Sequence, residues 1–215
     1  MKRKMIAIVK TISWMLFILS FSIAVPIVCP PFYYLHINAF KLPEATGFTY
    51  QQIKTAYNEM LRFCIFGGEF SCGDLRWSQS GRDHFADCSV LFHLDFIILI
   101  ISAVFLIICN MMEKRKGKEK LGGHNPGFWA SIILAGVFLG LTVMAARDFD
   151  RFFILFHTVF FPGKTNWTFD PRYDQIIEIL PQEFFRNCAI CIVVIMIAIC
   201  AALIIRDVRE RRNEK

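Results

Sequence analysis

No Gly-x-Ser-x-Gly elbow, no His-Glu-x-x-His pair, no internal repeat and no low-complexity tract occurs in the 215 residues. The first absence removes the usual serine-hydrolase nucleophile, and the second removes the usual helical zinc pair. Charge is scarce as well. Asp, Glu, Lys and Arg make up 20% of the chain, which is 55% hydrophobic and contains 23 Phe, whereas soluble domains carry about 25% charge. The eight cysteines are scattered rather than arrayed, so they outline neither a disulfide framework nor a metal cluster. Cys109 and Cys200 lie inside apolar runs and read as small hydrophobes. Cys188-Ala-Ile-Cys191 has redox spacing but opens an apolar helix, without the strand that precedes such motifs in thioredoxins. Cys64 and Cys72 bracket IFGGEFS, a separation open to a disulfide or to two thiols.

The hydrophobic excess is concentrated in four runs, at about residues 5–28, 90–112, 128–146 and 188–205. A hydrocarbon core of about 30 Å needs about 20 apolar residues in a helix, so each run is expected to span. The first is too long for a signal-peptide core and no small-x-small site follows it, so it reads as an uncleaved anchor. The net charge of +6 sits in MKRK, EKRKGKEK and RDVRERRNEK, which alternation places on one side. The segments facing the other way, 29–88 and 147–187, each carry five Lys/Arg against six Asp/Glu. Basic short segments stay cytoplasmic, so both termini are expected inside. The basic runs serve topology beside anionic lipid, and no nucleic-acid partner is implied. The expected fold is an all-α integral membrane protein: a four-helix bundle under an extracytoplasmic cap built from 29–88 and 147–187.

Within the cap, Thr49 and Gln52 form a capping box, and Ile53, Ala56, Tyr57, Met60 and Leu61 share one helical face. Gly67-Gly68 between two short alternating runs suggests a hairpin. Asp170-Pro171 reads as a helix start that should run toward Pro181. FFILFHTVFF is too apolar for water and must rest on the membrane surface or pack beneath the rest of the cap.

Polar chemistry gathers where the second run begins. Ser80 and Asp83 look like a helix start, after which His84, Asp87, Cys88, Leu91 and Asp95 fall on one face. Counting up from Glu113-Lys114 ends the hydrocarbon near Phe92, so His84 and Asp87 stand at headgroup depth. Asp95 lies about 16 Å deeper at about 1.5 Å per residue, where a carboxyl needs a cavity or a partner. His93 points to the opposite face and reads as a packing residue. His157 belongs to the same outer level, with Asp150 seven residues before it. Two histidines with carboxylates in helical reach make a candidate acid–base pair, in which a carboxylate sets the imidazole's tautomer. The expectation is that they meet in one dry chamber under aromatic rings. Two other classes fit these residues: a metal-dependent membrane hydrolase with His36, His84 and His157 converging on an ion, and a non-catalytic scaffold anchored by its histidines. If the site transfers acyl groups, the substrate supplies the nucleophile.

The ordered set His84-x-x-Asp87, Phe156-His157, Asn166-Trp167, Asp170-Pro171, Asp174, Pro181 and Phe184-Phe185 resembles the bacterial lipoprotein intramolecular transacylase family over nearly the whole chain. It departs from the family pattern at Phe85 and Cys88, where methionine and valine are usual. The resemblance implies a cell-membrane acyltransferase with no cofactor and no metal. Its substrate would be a diacylglyceryl-modified lipoprotein, whose sn-2 acyl chain moves to the α-amine of the N-terminal cysteine to leave the lyso-form. Membrane lipids would surround the site, which would face outward. His84 and His157 would be catalytic and Asp83, Asp87, Asp95 and Asp150 supporting. Phe156, Asn166, Trp167, Asp170 and Asp174 would bind substrate.

Overall fold

A computed structural model of the chain describes residues 2–117 and 119–214, with the backbone alone at residues 2–3 and 114–116. Parts of the basic runs, at residues 1–3, 114–116, 118 and 215, therefore lie outside the described residues or side chains. The order of elements is α1 (Lys2–Val28), α2 (Pro30–Ala39), α3 (Leu42–Thr46), α4 (Tyr50–Phe66), α5 (Gln79–Lys116), α6 (Pro126–Arg147), α7 (Phe149–Phe160), α8 (Ile176–Ile179) and α9 (Gln182–Asn213). No strand occurs among the described residues. Helices α1, α5, α6 and α9 are long and apolar enough to cross a membrane. At about 1.5 Å per residue, the 38 residues of α5 reach about 57 Å. The run 90–112 already satisfies a hydrocarbon core of about 30 Å, so the polar turns 79–89 extend past it.

The chain forms two compact units. The first contains residues 1–24, 95–147 and 191–215. Ile18, Ala130, Leu134, Met196 and Cys200 form its buried centre, with Trp14, Phe17 and Phe138 packed on them. Polar ties close one end: Lys10 pairs with Glu113, and the fully buried Asp207 accepts from His124 Nδ1 (2.6 Å) and from the Asn125 amide (2.7 Å).

The second unit contains residues 25–94 and 148–190 and is built around an aromatic core. Pro30 and Pro31 lack the amide hydrogens that would continue α1, yet they suit the first turn of α2. Tyr33 of α2 stacks on Tyr57 of α4 at 3.8 Å, and its hydroxyl donates to the Ile179 carbonyl at 2.7 Å. Phe184 stands edge-on to both rings. The capping box at Thr49 and Gln52 forms, and the expected face of α4 is buried.

Three local expectations are corrected. The Gly-Gly segment is not a hairpin. The periodicity of α4 continues through Phe63 and Cys64, both buried, and stops at Gly67, whose φ of 73° favours glycine. Residues 69–78 then form a loop with one isolated bridge between Cys72 and Asp74. Cys64 and Cys72 are unbridged, buried thiols that donate to the carbonyls of Phe85 (3.6 Å) and Leu75 (3.4 Å). Asp170-Pro171 starts a turn, not a helix, because the Asp170 carboxylate is taken by the amide and guanidinium of Arg172. The helix waits until Ile176. Finally, α5 begins at Gln79 and is capped by Ser78, whose Oγ accepts from the Gly81 amide at 3.0 Å.

Candidate active site

The second unit brings His84 of α5 and His157 of α7 together, with ring centroids 5.9 Å apart and planes inclined by 32°. They are 6% and 7% exposed, so both rings are withdrawn from water. Helix α7 is set by Asp148, whose side chain accepts from the Arg151 amide at 3.0 Å. It turns His157 inward one helical turn after Phe153. Aromatic rings cover the pair. Phe153 lies 4.2 Å and Trp167 4.7 Å from the His157 centroid, Phe161 lies 5.0 Å and Phe169 5.4 Å from that of His84, and Phe156 stands edge-on to His157 at 5.5 Å.

The ring nitrogens are not equivalent. His157 Nδ1 lies 2.8 Å from the Phe153 carbonyl. A carbonyl only accepts, so Nδ1 carries the hydrogen and Nε2 presents a lone pair. His84 Nδ1 is buried without a protein partner, while its Nε2 lies 3.5 Å from Cys88 Sγ. Burial lowers the His84 pKa to about 4, with the neighbouring His157 adding to the fall and Asp87 opposing it. Burial also lowers that of His157, against the opposing pull of the Phe153 carbonyl. Both imidazoles are therefore neutral near pH 7. Burial pushes the Cys88 thiol up to about 12, so it is not a thiolate.

Beside the histidines, Asp87 forms an ion pair with Lys164 and accepts from Asn166 Nδ2 at 3.1 Å. Burial opposes ionisation of Asp87, but these two donors outweigh it and hold its pKa below the usual carboxylate range. Asn166 Oδ1 is buried with no protein partner. Two buried polar atoms, one able to donate and one to accept, thus stand unmatched in one aromatic site. Such atoms point to a ligand, because burying them unbonded costs about 1–3 kcal/mol each.

Other sequence-expected residues are placed elsewhere. Asp150 accepts from Gln182 Nε2 at 2.8 Å on the surface and does not orient His157; the Phe153 carbonyl holds that ring instead. Asp83 is engaged by Gln79 and Arg82, one residue round the helix from the site face. Asp95 belongs to the other unit, where it meets Ser20. Asp170 is held by Arg172. Asp174 is buried and binds the Ser78 amide and hydroxyl at 2.7 and 2.8 Å, so it anchors the start of α5. His36 does not converge with the other two histidines, since its ring bonds to the Phe32 carbonyl and to Asn187. Among the described residues no group of three His, Cys, Asp or Glu side chains is arranged to hold a metal ion. Lys164 and Phe169 were missed from sequence. A lone cation in the otherwise neutral stretch FFPGKTNWTF was the available signal for Lys164. A small open cleft lies elsewhere, lined by Lys10, Trp14, Asn110, Asn125 and Arg206.

A sequence model of the family described as lipoprotein intramolecular transacylase Lit matches residues 8–185. No curated protein matches the chain. Among solved structures, the membrane-integral lipoprotein intramolecular transacylase Lit from Bacillus cereus superposes with a TM-score of 0.88, at 24% identity over 98% of both chains. A structure of that protein with a histidine-to-arginine mutation gives 0.81, at 23% identity over 100% of this chain and 95% of the other. One with a histidine-to-alanine mutation gives 0.80, at 24% identity over 98% and 96%. At these identities the structural likeness establishes the fold.

Proposed function

Since the chain belongs to the lipoprotein intramolecular transacylase family, and is thus a membrane acyltransferase, we propose that it moves the sn-2 acyl chain of a diacylglyceryl-modified lipoprotein to the α-amine of its N-terminal cysteine. The product is an N-acyl, S-monoacylglyceryl lyso-form lipoprotein. The observation that carries this reading is the pair of buried imidazoles with ring centroids 5.9 Å apart, each with a nitrogen that no backbone group occupies.

The two histidines take different parts. His157 is the base: its Nδ1 hydrogen is committed to the Phe153 carbonyl, and its Nε2 lone pair faces the reacting amine. As the amine nitrogen bonds to the ester carbonyl carbon, Nε2 takes one of its protons. The tetrahedral oxyanion is held by an N–H of His84, which stays neutral because of its lowered pKa. When the carbon–oxygen bond to glycerol breaks, His157 returns the proton to the departing oxygen as the sn-2 hydroxyl. One N–H and one ester are consumed, and one amide and one O–H are formed. No protein nucleophile is needed, which accords with the thiol state of Cys88.

The tether from amine to ester runs through Cα, Cβ, sulfur and two glyceryl carbons, so attack closes a medium-sized ring. Holding the reacting atoms about 3 Å apart recovers several kcal/mol of that cost. Asn166 Oδ1 accepts from the amine, with the Asp87–Lys164 pair fixing the amide in place. Phe156 and Trp167 cover His157 and keep out the water that would hydrolyse the ester. Because these rings touch the imidazole, an entering ester displaces them. The net-basic connecting segments support a topology with both termini in the cytoplasm and this site at the outer face, within reach of lipids and of translocated lipoproteins.

Mass spectrometry of lipoprotein N-termini, from cells expressing each variant, tests the reading. His157→Gln and His84→Gln should each lower lyso-form production by about 10²–10⁴-fold, the usual range for a proton-transfer or oxyanion group. Full lyso-form yield from either variant refutes the assigned roles.

A further inference from the structure

The orienting partner of His84 is missing from the carboxylates around it. An imidazole that must keep one nitrogen protonated normally has the other nitrogen held by a fixed group. Asp87 does not serve: its oxygens bond Lys164 and Asn166, and neither nitrogen of His84 is bonded to it. Asp83 is occupied by Gln79 and Arg82. What does stand against the ring is sulfur: Cys88 lies one turn further along α5, and its Sγ is 3.5 Å from His84 Nε2.

We propose that the Cys88 thiol donates to His84 Nε2 and thereby fixes the hydrogen of that imidazole on Nδ1, the nitrogen left open for substrate. Cys88 is a positioning residue for the transacylation, and this role rests on the reaction proposed above. The alternative arrangement puts the hydrogen on Nε2 against sulfur. Sulfur is a weak acceptor, whereas an imidazole nitrogen is a good one, so S–H···N is the better of the two bonds. The alternative also leaves a bare Nδ1 lone pair buried in a site where negative charge develops, and that lone pair would repel the oxyanion. With the thiol donating, the unmatched Nδ1 becomes a fixed N–H donor. Preorganised donors of this kind cost no reorganisation when the charge appears. The raised thiol pKa keeps the S–H intact at neutral pH.

The test compares Cys88→Val, which keeps the shape and removes the donor, with Cys88→Ser, which keeps a donor, in the full-length protein in lipid nanodiscs. On a diacylglyceryl lipopeptide, Cys88→Val should lower kcat by about tenfold with KM within about twofold, as expected for losing a bond felt in the transition state. Cys88→Ser should recover to within about threefold of the parent. Nitrogen-15 spectra of the imidazoles, with the His84 signals assigned by their loss in His84→Gln, read the tautomer directly. The hydrogen should sit on Nδ1 in the parent and in Cys88→Ser, and divide between the nitrogens in Cys88→Val. A parent His84 protonated on Nε2 overturns the thiol's role, as does a Cys88→Val enzyme with unchanged kcat. The spectrum of the parent needs no variant at Cys88, so a misfolded substitution does not block the test. A parent that makes no lyso-form product overturns the reaction instead, a failure read in a separate experiment.

Discussion

Gly81→Ala should destabilise the start of α5, the helix that carries His84. Gly81 lies in the first turn of α5, three residues after the Ser78 cap. Its backbone is helical, so glycine is there for space. An added Cβ would stand 2.3 Å from Asp174 Oδ1, 2.9 Å from its Cγ and 3.0 Å from Phe169 Cε1. Asp174 is 5% exposed, and its carboxylate binds the Ser78 amide at 2.7 Å and hydroxyl at 2.8 Å. It cannot retreat without loosening both bonds, each worth about 1.5–3 kcal/mol when one partner is charged. Phe169 cannot retreat without leaving the His84 ring, 5.4 Å away. Overpacking of this kind costs about 1–3 kcal/mol by itself.

A loss of about 3 kcal/mol is therefore expected for Gly81→Ala. In a chain of this size, where 1 kcal/mol moves Tm by about 2–4 °C, that is a fall of about 6–12 °C. Thermal unfolding in detergent, followed by near-UV circular dichroism, measures it. Asp174→Ala sharpens the argument, because it removes the atom with which the methyl collides. The double variant should be no less stable than Asp174→Ala alone, giving strong non-additivity. A Gly81→Ala protein within about 1 °C of the parent, or additive losses in the pair, refutes the packing argument.

Titration of the two imidazoles by NMR should give midpoints below 6.5 for both, with His84 near 4. Because the folded-state pKa of His84 is depressed, its contribution to stability is complete above about pH 6.5 and is lost as pH falls toward 4. At about 1.36 kcal/mol per unit this amounts to roughly 3 kcal/mol, so the parent's Tm should drop more than that of His84→Gln between pH 7 and pH 4.5. Asp87→Asn should lower kcat by about tenfold by releasing Lys164 and Asn166, whereas Asp150→Asn, at a surface contact, should stay within about twofold; equal effects in a lyso-form assay would contradict this division. Asp207→Asn should cost about 3 kcal/mol by breaking the buried His124 contact while leaving kcat per folded molecule unchanged, which unfolding curves and active-fraction assays separate.

The features legible from sequence are those set by one dimension or one helical turn. Hydrocarbon thickness made the four long helices visible as four runs, and the Thr49–Gln52 box needed only a three-residue separation. The stripe carrying His84, Asp87 and Cys88 followed from helical spacing alone. Partner choice across the chain was not legible. Asp150 and Asp87 look alike as acids near a histidine, yet one meets Gln182 and the other Lys164. Seven residues put Asp150 on the His157 face, but two full turns lie between them and the Phe153 carbonyl, at i−4, is nearer. The Asp170-Pro171 pair carries a cap signature, and a local arginine decided against the helix. The Gly-Gly signal for a turn was sound, but the alternation before it was weaker than the continuing face of α4.

The same contrast explains why the chemistry is built as it is. The histidines come from two elements 73 residues apart in number, and neither is oriented by a carboxylate. A backbone carbonyl holds His157, and sulfur touches His84. Under a cover of aromatic rings, an ionised carboxylate bonded directly to an imidazole would raise its pKa and favour imidazolium before substrate arrived. Neutral partners avoid this. They leave the pair uncharged, and in the proposed reaction they would keep one lone pair and one donor in reserve, with positive charge arising only while the amine proton is in transit. Asp87 is consistent with this arrangement, since Lys164 and Asn166 neutralise and bind it at the edge of the site. Its negative charge is thereby used to place Asn166, while in the proposed reaction the imidazoles would remain free to respond to the ester.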